Sequence, residues 1–142
     1  TGCWEAYVSN LATLSRYFGR DLSPRKPIPP EIASFSVDDL VSRARGGDTK
    51  AVSALHSTAH YLGLGLASVV NAIDPSRIFI SGEIIAAWDL IEATLRQALG
   101  TRVLAPAATG IEITTIPLPE HPRLRGAAAL VTAPLFAVPK VG

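Results

Sequence analysis

The sequence predicts an α/β fold rich in helix and short of strand, on three observations. Apolar residues recur at steps of three and four through two long segments, Val52–Ile73 and Ile84–Leu99. Two β-branched runs, Arg77–Ser81 and Ile111–Ile116, flank the second segment. Pro75, Gly82, Gly100 and Pro117 stand at the boundaries, where breakers belong. Strand, helix, strand in that order is a βαβ unit, hence a parallel pair.

Each element follows from local chemistry. Tyr7, Val8, Leu11, Leu14 and Phe18 fall at helical spacing and predict a helix over Glu5–Phe18, with Gly19 as its stop. Residues 20–31 carry Pro24, Pro27, Pro29 and Pro30 among charges, which predicts an exposed loop, because proline fixes φ and removes amide donors. Ser36 and Asp39 have capping-box spacing before a short helix through Leu40, Val41 and Ala44, closed by Gly46-Gly47. Asp48 caps the next helix, whose stripe is Val52, Leu55, Ala59, Leu62, Leu66, Val69 and Ile73. Asp74 before Pro75 ends it. Ile84, Trp88, Ile91, Leu95 and Leu99 form the face of the helix between the strands. A last helix begins near Pro122 and runs through Leu124, Ala128, Val131 and Leu135. Two strands cannot cover this many helices, so further strands are expected upstream of Thr1.

Composition sets the bounds. The chain has 142 residues, which predicts a single domain over 1–142. With 48% hydrophobic and 18% charged residues it is not intrinsically disordered. A net charge of +1 gives no field that argues for nucleic acid or an anionic membrane. One cysteine excludes a disulfide framework. The chain has no methionine, even at position 1, so it reads as a fragment of something longer. The apolar stretch Tyr61–Ala72 is broken by Gly63, Gly65, Ser68 and Asn71, well short of the roughly 20 residues a spanning helix needs. No leader pattern is visible, so the cytoplasm is the expected compartment.

Four motifs invite a functional reading. His56 and His60 share a helical face, but no glutamate stands in the general-base position, and exposed or partly buried polar residues beside the Val52/Leu55/Ala59 stripe are the expectation. Gly63-Leu64-Gly65 lies inside a helical pattern instead of after a strand, which points to close helix packing and not to a dinucleotide. Ser81-Gly82-Glu83 sits where α/β proteins present backbone amides to ligands. There a nucleotide turn and an ordinary tight turn remain equal alternatives, since Glu83 would repel a phosphate. Gly2-Cys3-Trp4-Glu5 carries one thiol and one first-turn carboxylate, too little for a zinc site by itself.

The run Gly2-Cys3-Trp4-Glu5-Ala6-Tyr7-Val8-Ser9 resembles the end of the ROK-family signature, Cys-x-Cys-Gly-x-x-Gly-Cys-x-Glu. The family comprises repressors, open reading frames and sugar kinases. Asp74-Pro75, the strand and turn at Ile78–Gly82, and the Arg125-Gly126-Ala127-Ala128-Ala129 helix follow in the family's order. The resemblance implies the C-terminal lobe of an actin-like ATPase (RNase H-like) fold with an incomplete sheet. It implies that Glu5 accepts hydrogen bonds from sugar hydroxyls, for which a carboxylate has the right acceptors. It implies that Cys3 is the last of four zinc ligands, the other three lying outside this chain. The catalytic aspartate of the family's kinases also lies outside it.

At the glycine turn the resemblance departs from the kinases, which carry Gly-Gly where this chain has Gly82-Glu83. Phosphoryl transfer depends on positioning and positive electrostatics, so a carboxylate there disfavours it. The run Ser81–Ile91 looks more like the family's transcriptional regulators. The resemblance therefore implies the effector-sensing and oligomerisation part of such a regulator, without its DNA-binding domain. Its expected partners are a sugar or sugar-phosphate effector, a second copy of the chain, and DNA only through an absent domain, with no membrane. The alternative is part of a sugar kinase using ATP and magnesium.

Overall fold

The longest predicted helix is also the longest observed. The computed structural model describes residues 3–23, 25–104, 110–117, 119 and 122–136. Its elements in chain order are α1 (Glu5–Val8), α2 (Asn10–Phe18), α3 (Pro30–Ala33), α4 (Val37–Arg45), α5 (Thr49–Ile73), β1 (Arg77–Ser81), α6 (Trp88–Gly100), β2 (Glu112–Ile116) and α7 (Pro122–Phe136). A 3-10 turn, Glu83–Ala87, joins β1 to α6.

The single opening helix expected over Glu5–Phe18 is two helices. Ser9 is extended, at φ −66° and ψ 160°, and its hydroxyl accepts from the Ala12 amide. A serine that can cap a helix start competes with continuing the helix through it. Gly19 then closes α2 at φ 64°, a left-handed conformation that glycine adopts without a Cβ penalty. The described residues of the proline-rich stretch, which leave out Pro24, are irregular until Pro29, after which Pro30 opens the one-turn α3, a departure from the all-loop expectation. Proline suits a first helical position because its missing N–H has no partner there anyway. α3 drops Ile32 into the interior, at 2% exposure.

The Ser36/Asp39 capping box is present in both directions at the start of α4. Asp48 caps α5 by accepting from the Lys50 and Ala51 amides. Asp74 ends α5 in the left-handed region, at φ 43°. The stripe expected on α5 holds as far as Leu66 and fails in the last two turns. Leu55, Ala59 and Leu66 are buried, but Val69 and Ile73 are exposed, Ile73 at 70%. The buried line runs instead through Ala51, Ala54, Thr58, Gly63, Ala67 and Val70. Small residues let neighbouring helices approach closely, and they share the interior face of α5 with Leu55, Leu66 and Val70.

That approach is made by α6. Gly63 has no room for a side chain, because a Cβ there would meet the Leu95 carbonyl, with Ala98 Cβ 2.9 Å and the Leu99 amide 3.1 Å away. Glycine inside a helix costs roughly 1 kcal/mol against alanine, and the close seat of α6 offsets it. Leu55 on α5, Ile91, Leu95 and Leu99 on α6, and Leu40 on α4 are fully buried. Each such side chain contributes about 1.5–3 kcal/mol by leaving water.

β1 and β2 pair in parallel, with Ile78 opposite Ile113 and Arg77 opposite Glu112. Ile78, Ile80 and Ile113 point into the core, while Phe79 on the other face is 58% exposed. Among the described residues the sheet has these two strands only. The described side chains of α7, from Leu124 to Thr132, are exposed, including Leu124, Ala128 and Val131 of its predicted apolar stripe, while the side chain of Leu135 lies outside those described.

Candidate sugar site at the N-terminal turn

The residues singled out by the opening motif gather at one cavity. It encloses about 610 Å³ and is lined by Cys3 and Glu5 from the first turn, Ser9 capping α2, Arg16 within it, and Asp21 and Ser23 from the proline-rich segment. Cys3 and Glu5 are exposed. The lining mixes two carboxylates, one guanidinium and hydroxyls, which is a surface suited to a polyhydroxyl ligand.

Arg16 ties this corner to the body. Its Nη1 donates to Thr58 Oγ1 at 2.7 Å and its Nη2 donates to the Tyr7 carbonyl at 2.7 Å. Its guanidinium also lies 5.1 Å from the centre of the Tyr61 ring. Burial lowers its pKa from the ordinary value, partly opposed by Tyr61. Thr58 is itself buried, shares a 2.9 Å hydrogen bond with Thr13 and donates to the Ala54 carbonyl. Asp21 is paired with Lys26 at 2.6 Å, an exposed ion pair of little energetic weight.

Glu5 is carried by α1, which buries none of its four residues. The preceding residue supplies the anchorage. Trp4 Nε1 donates to the Tyr61 carbonyl at 2.9 Å, and its indole lies against Gly65, where any Cβ would overlap it. Tyr7 and Tyr61 rings sit 5.0 Å apart. Both glycines of Gly63-Leu64-Gly65 thus serve close packing, one against α6 and the other against Trp4.

The second pair of candidate residues lies elsewhere. Gly82 and Glu83 stand at the C-terminal end of β1 and do not line the cavity that holds Glu5. Gly82 takes φ 132° and ψ 172°, a conformation L side chains rarely adopt. Nothing lies within 4 Å of where its Cβ would be, so the requirement there is conformational. Glu83 follows as an exposed carboxylate.

A zinc ion needs three or four ligands. Among the described residues no three histidine, cysteine or acidic side chains stand together, so Cys3 is the most they supply and they do not fit a zinc site alone. His56 and His60 are both exposed on α5, as their sequence context predicts. Among the described residues no helix is long and apolar enough to cross a membrane.

Arg16, Asp21, Ser9 and Ser23 were not recognisable as site residues in the sequence. Their only signal is proximity after folding, because the α2 helix returns Arg16 to the carbonyl of Tyr7. Gly65 did leave a signal, a glycine in a helix interior.

The ROK family model matches residues 1–133. The xylose repressor of Bacillus subtilis is 24% identical over 130 residues, which cover 92% of this chain and 31% of the repressor. A solved ROK family transcriptional regulator, a homologue of the E. coli MLC protein, superposes with a TM-score of 0.64 at 24% identity, over 82% of this chain and 29% of that one. A ROK family glucokinase from Streptomyces griseus, solved with glucose and AMPPNP, superposes with a TM-score of 0.59 at 23% identity, over 81% of this chain and 39% of that one. The chain thus spans about a third of the length of the repressor it matches. The fold is the actin-like one shared by these regulators and kinases. With the family's match running through nearly its whole length, the chain belongs to the ROK family.

Proposed function

We propose that the chain is the sugar-sensing and oligomerising part of a cytoplasmic ROK-type transcriptional regulator, with DNA reading carried by a domain outside these residues. Glu5 accepts hydrogen bonds from sugar hydroxyls in the cavity lined by Ser9, Arg16 and Asp21. The sugar then shifts the population between operator-binding and free states, as any ligand with unequal affinity for two states must. The observation that carries a regulator over a kinase is Glu83. At the turn where a kinase of the family would bring backbone toward phosphate, this chain presents an exposed carboxylate. Its negative charge opposes the approach of a nucleotide.

A sugar kinase is the second reading, favoured by the likeness to the glucokinase and by Gly82, whose open conformation keeps one half of a glycine turn. The two separate in one set of measurements on the full-length protein. Calorimetric titration with D-xylose and with D-glucose is expected to show binding of one of them. Glu5→Ala is expected to weaken it by roughly 10- to 150-fold, the equivalent of about 1.5–3 kcal/mol for a hydrogen bond to a charged group. Unchanged affinity would remove Glu5 from the site. Sugar-dependent ATP hydrolysis above background would overturn the regulator in favour of the kinase.

A further inference from the structure

We propose that Trp4 and Gly65 are positioning residues that aim Glu5 into the cavity. The inference rests on the sugar-binding role of Glu5 stated above. α1 has four residues and buries none, so its own helical bonds cannot hold it in place. Its orientation comes from side chains that reach α5. The first is the indole of Trp4, immediately before Glu5. Its N–H donates to the Tyr61 carbonyl at 2.9 Å, which fixes the rotation of the ring about the helix surface. Its face occupies the space that only a glycine at position 65 leaves open.

Gly65 takes no unusual backbone angle, so conformational freedom does not explain a glycine inside a 25-residue helix. Space for the indole does. The carbonyls of Cys3 and Trp4 accept from the amides of Ala6 and Tyr7, at 3.0 and 2.9 Å, so the turn that carries Glu5 moves with the indole as one unit. Tyr7 and the Arg16 bond to its carbonyl secure the other end of the same turn. A shift of Trp4 therefore pivots Glu5 relative to Arg16 and Asp21 while leaving the α5–α6 core untouched. Positional errors of an ångström are large for a carboxylate that must meet hydroxyls at hydrogen-bond distance.

The test uses the full-length protein, D-xylose and D-glucose as probes, and calorimetric affinity read beside melting temperature. Gly65→Ala is expected to weaken sugar binding at least tenfold. Trp4→Leu, which removes both the ring on Gly65 and the donor to Tyr61, is expected to weaken binding as much, and adding Gly65→Ala to it is expected to cost little more, because the new methyl then has no indole to displace. Trp4→Phe keeps a ring on Gly65 but loses the donor to Tyr61, and is expected to weaken binding several-fold with little change in melting temperature. Trp4 is 42% exposed, so this variant leaves the interior intact. If Glu5→Ala weakens binding while Gly65→Ala and Trp4→Phe bind like the parent, the positioning role is wrong and the sugar site stands. If Gly65→Ala weakens binding by the same factor with and without Trp4→Leu, damage to α5 is the cause and the inference fails. If Glu5→Ala itself has no effect, or neither sugar binds, the reading of the site fails and the inference with it.

Discussion

At the scale of single residues, two aspartates hold helix starts together and should make the fold acid-sensitive. Asp48 accepts from the backbone amides of Lys50 and Ala51 and from the Tyr17 hydroxyl, at 2.9, 3.1 and 2.9 Å. The Ala51 amide first, and then the Tyr17 hydroxyl, hold its carboxyl below the ordinary 3.8. The amide and hydroxyl of Ser36 do the same for Asp39. A carboxyl whose pKa is lower folded than unfolded contributes stability that is fully present above the unfolded value. That stability is lost as pH falls through the folded one. Melting temperatures recorded from pH 6 downward are therefore expected to drop below about pH 4. Asp48→Asn should melt lower than the parent at pH 7 and show a flatter acid limb. An unchanged acid limb in that variant would show that Asp48 does not titrate with folding. Tyr17 adds a link of its own, since its oxygen also accepts from Arg43 Nη1 at 2.9 Å. One hydroxyl thus joins α2, α4 and the start of α5.

At the scale of elements, the seam between α5 and α6 should be the most sensitive to substitution. Gly63→Ala forces a methyl against the Leu95 carbonyl and the Leu99 amide, and overpacking of that kind costs about 1–3 kcal/mol. Leu95→Ala removes a fully buried side chain from the same seam and is expected to cost roughly 2–5 kcal/mol. Urea unfolding of both variants measures these losses directly. Equal stability of Gly63→Ala and the parent would show that α6 is free to move aside. Element identity was readable wherever a cap or breaker coincided with an apolar period, as at Ser36, Asp48, Asp74 and Gly100. It failed at Ser9, where periodicity ran straight through a cap, since Tyr7 and Leu11 fit one helix as well as two. It also failed at the end of α5, where Val69 and Ile73 kept the period but Ala67 and Val70 faced the interior. Hydrophobic spacing reports which residues lie on one line, not which line a neighbour chooses. The site was legible to the same limited degree. Cys3 and Glu5 stood out through a motif, whereas Arg16 and Asp21 reach the cavity only through the turn at Ser9 and the return of the proline-rich segment.

At the scale of the whole molecule, stability is unevenly distributed. α4, α5 and α6 carry the fully buried leucines, whereas the described side chains of α7 are all exposed, with Leu124 at 68% and Leu130 at 79%. Native-state hydrogen exchange is expected to show α7 amides exchanging first and the α5–α6 amides last, near the limit of global unfolding. Equal protection of α7 and α5 would contradict that ordering. The sheet has a different consequence. A parallel pair is ordinarily sheltered on both faces, yet Phe79 looks outward from β1, and among the described residues neither strand has a partner on its outer edge. Unpaired strand backbones beside an aromatic surface are a template on which another copy can add a strand. Prepared as these 142 residues, the polypeptide is expected to scatter light increasingly as it is concentrated. Phe79→Lys, which charges that surface without entering the core, should raise the concentration at which turbidity begins.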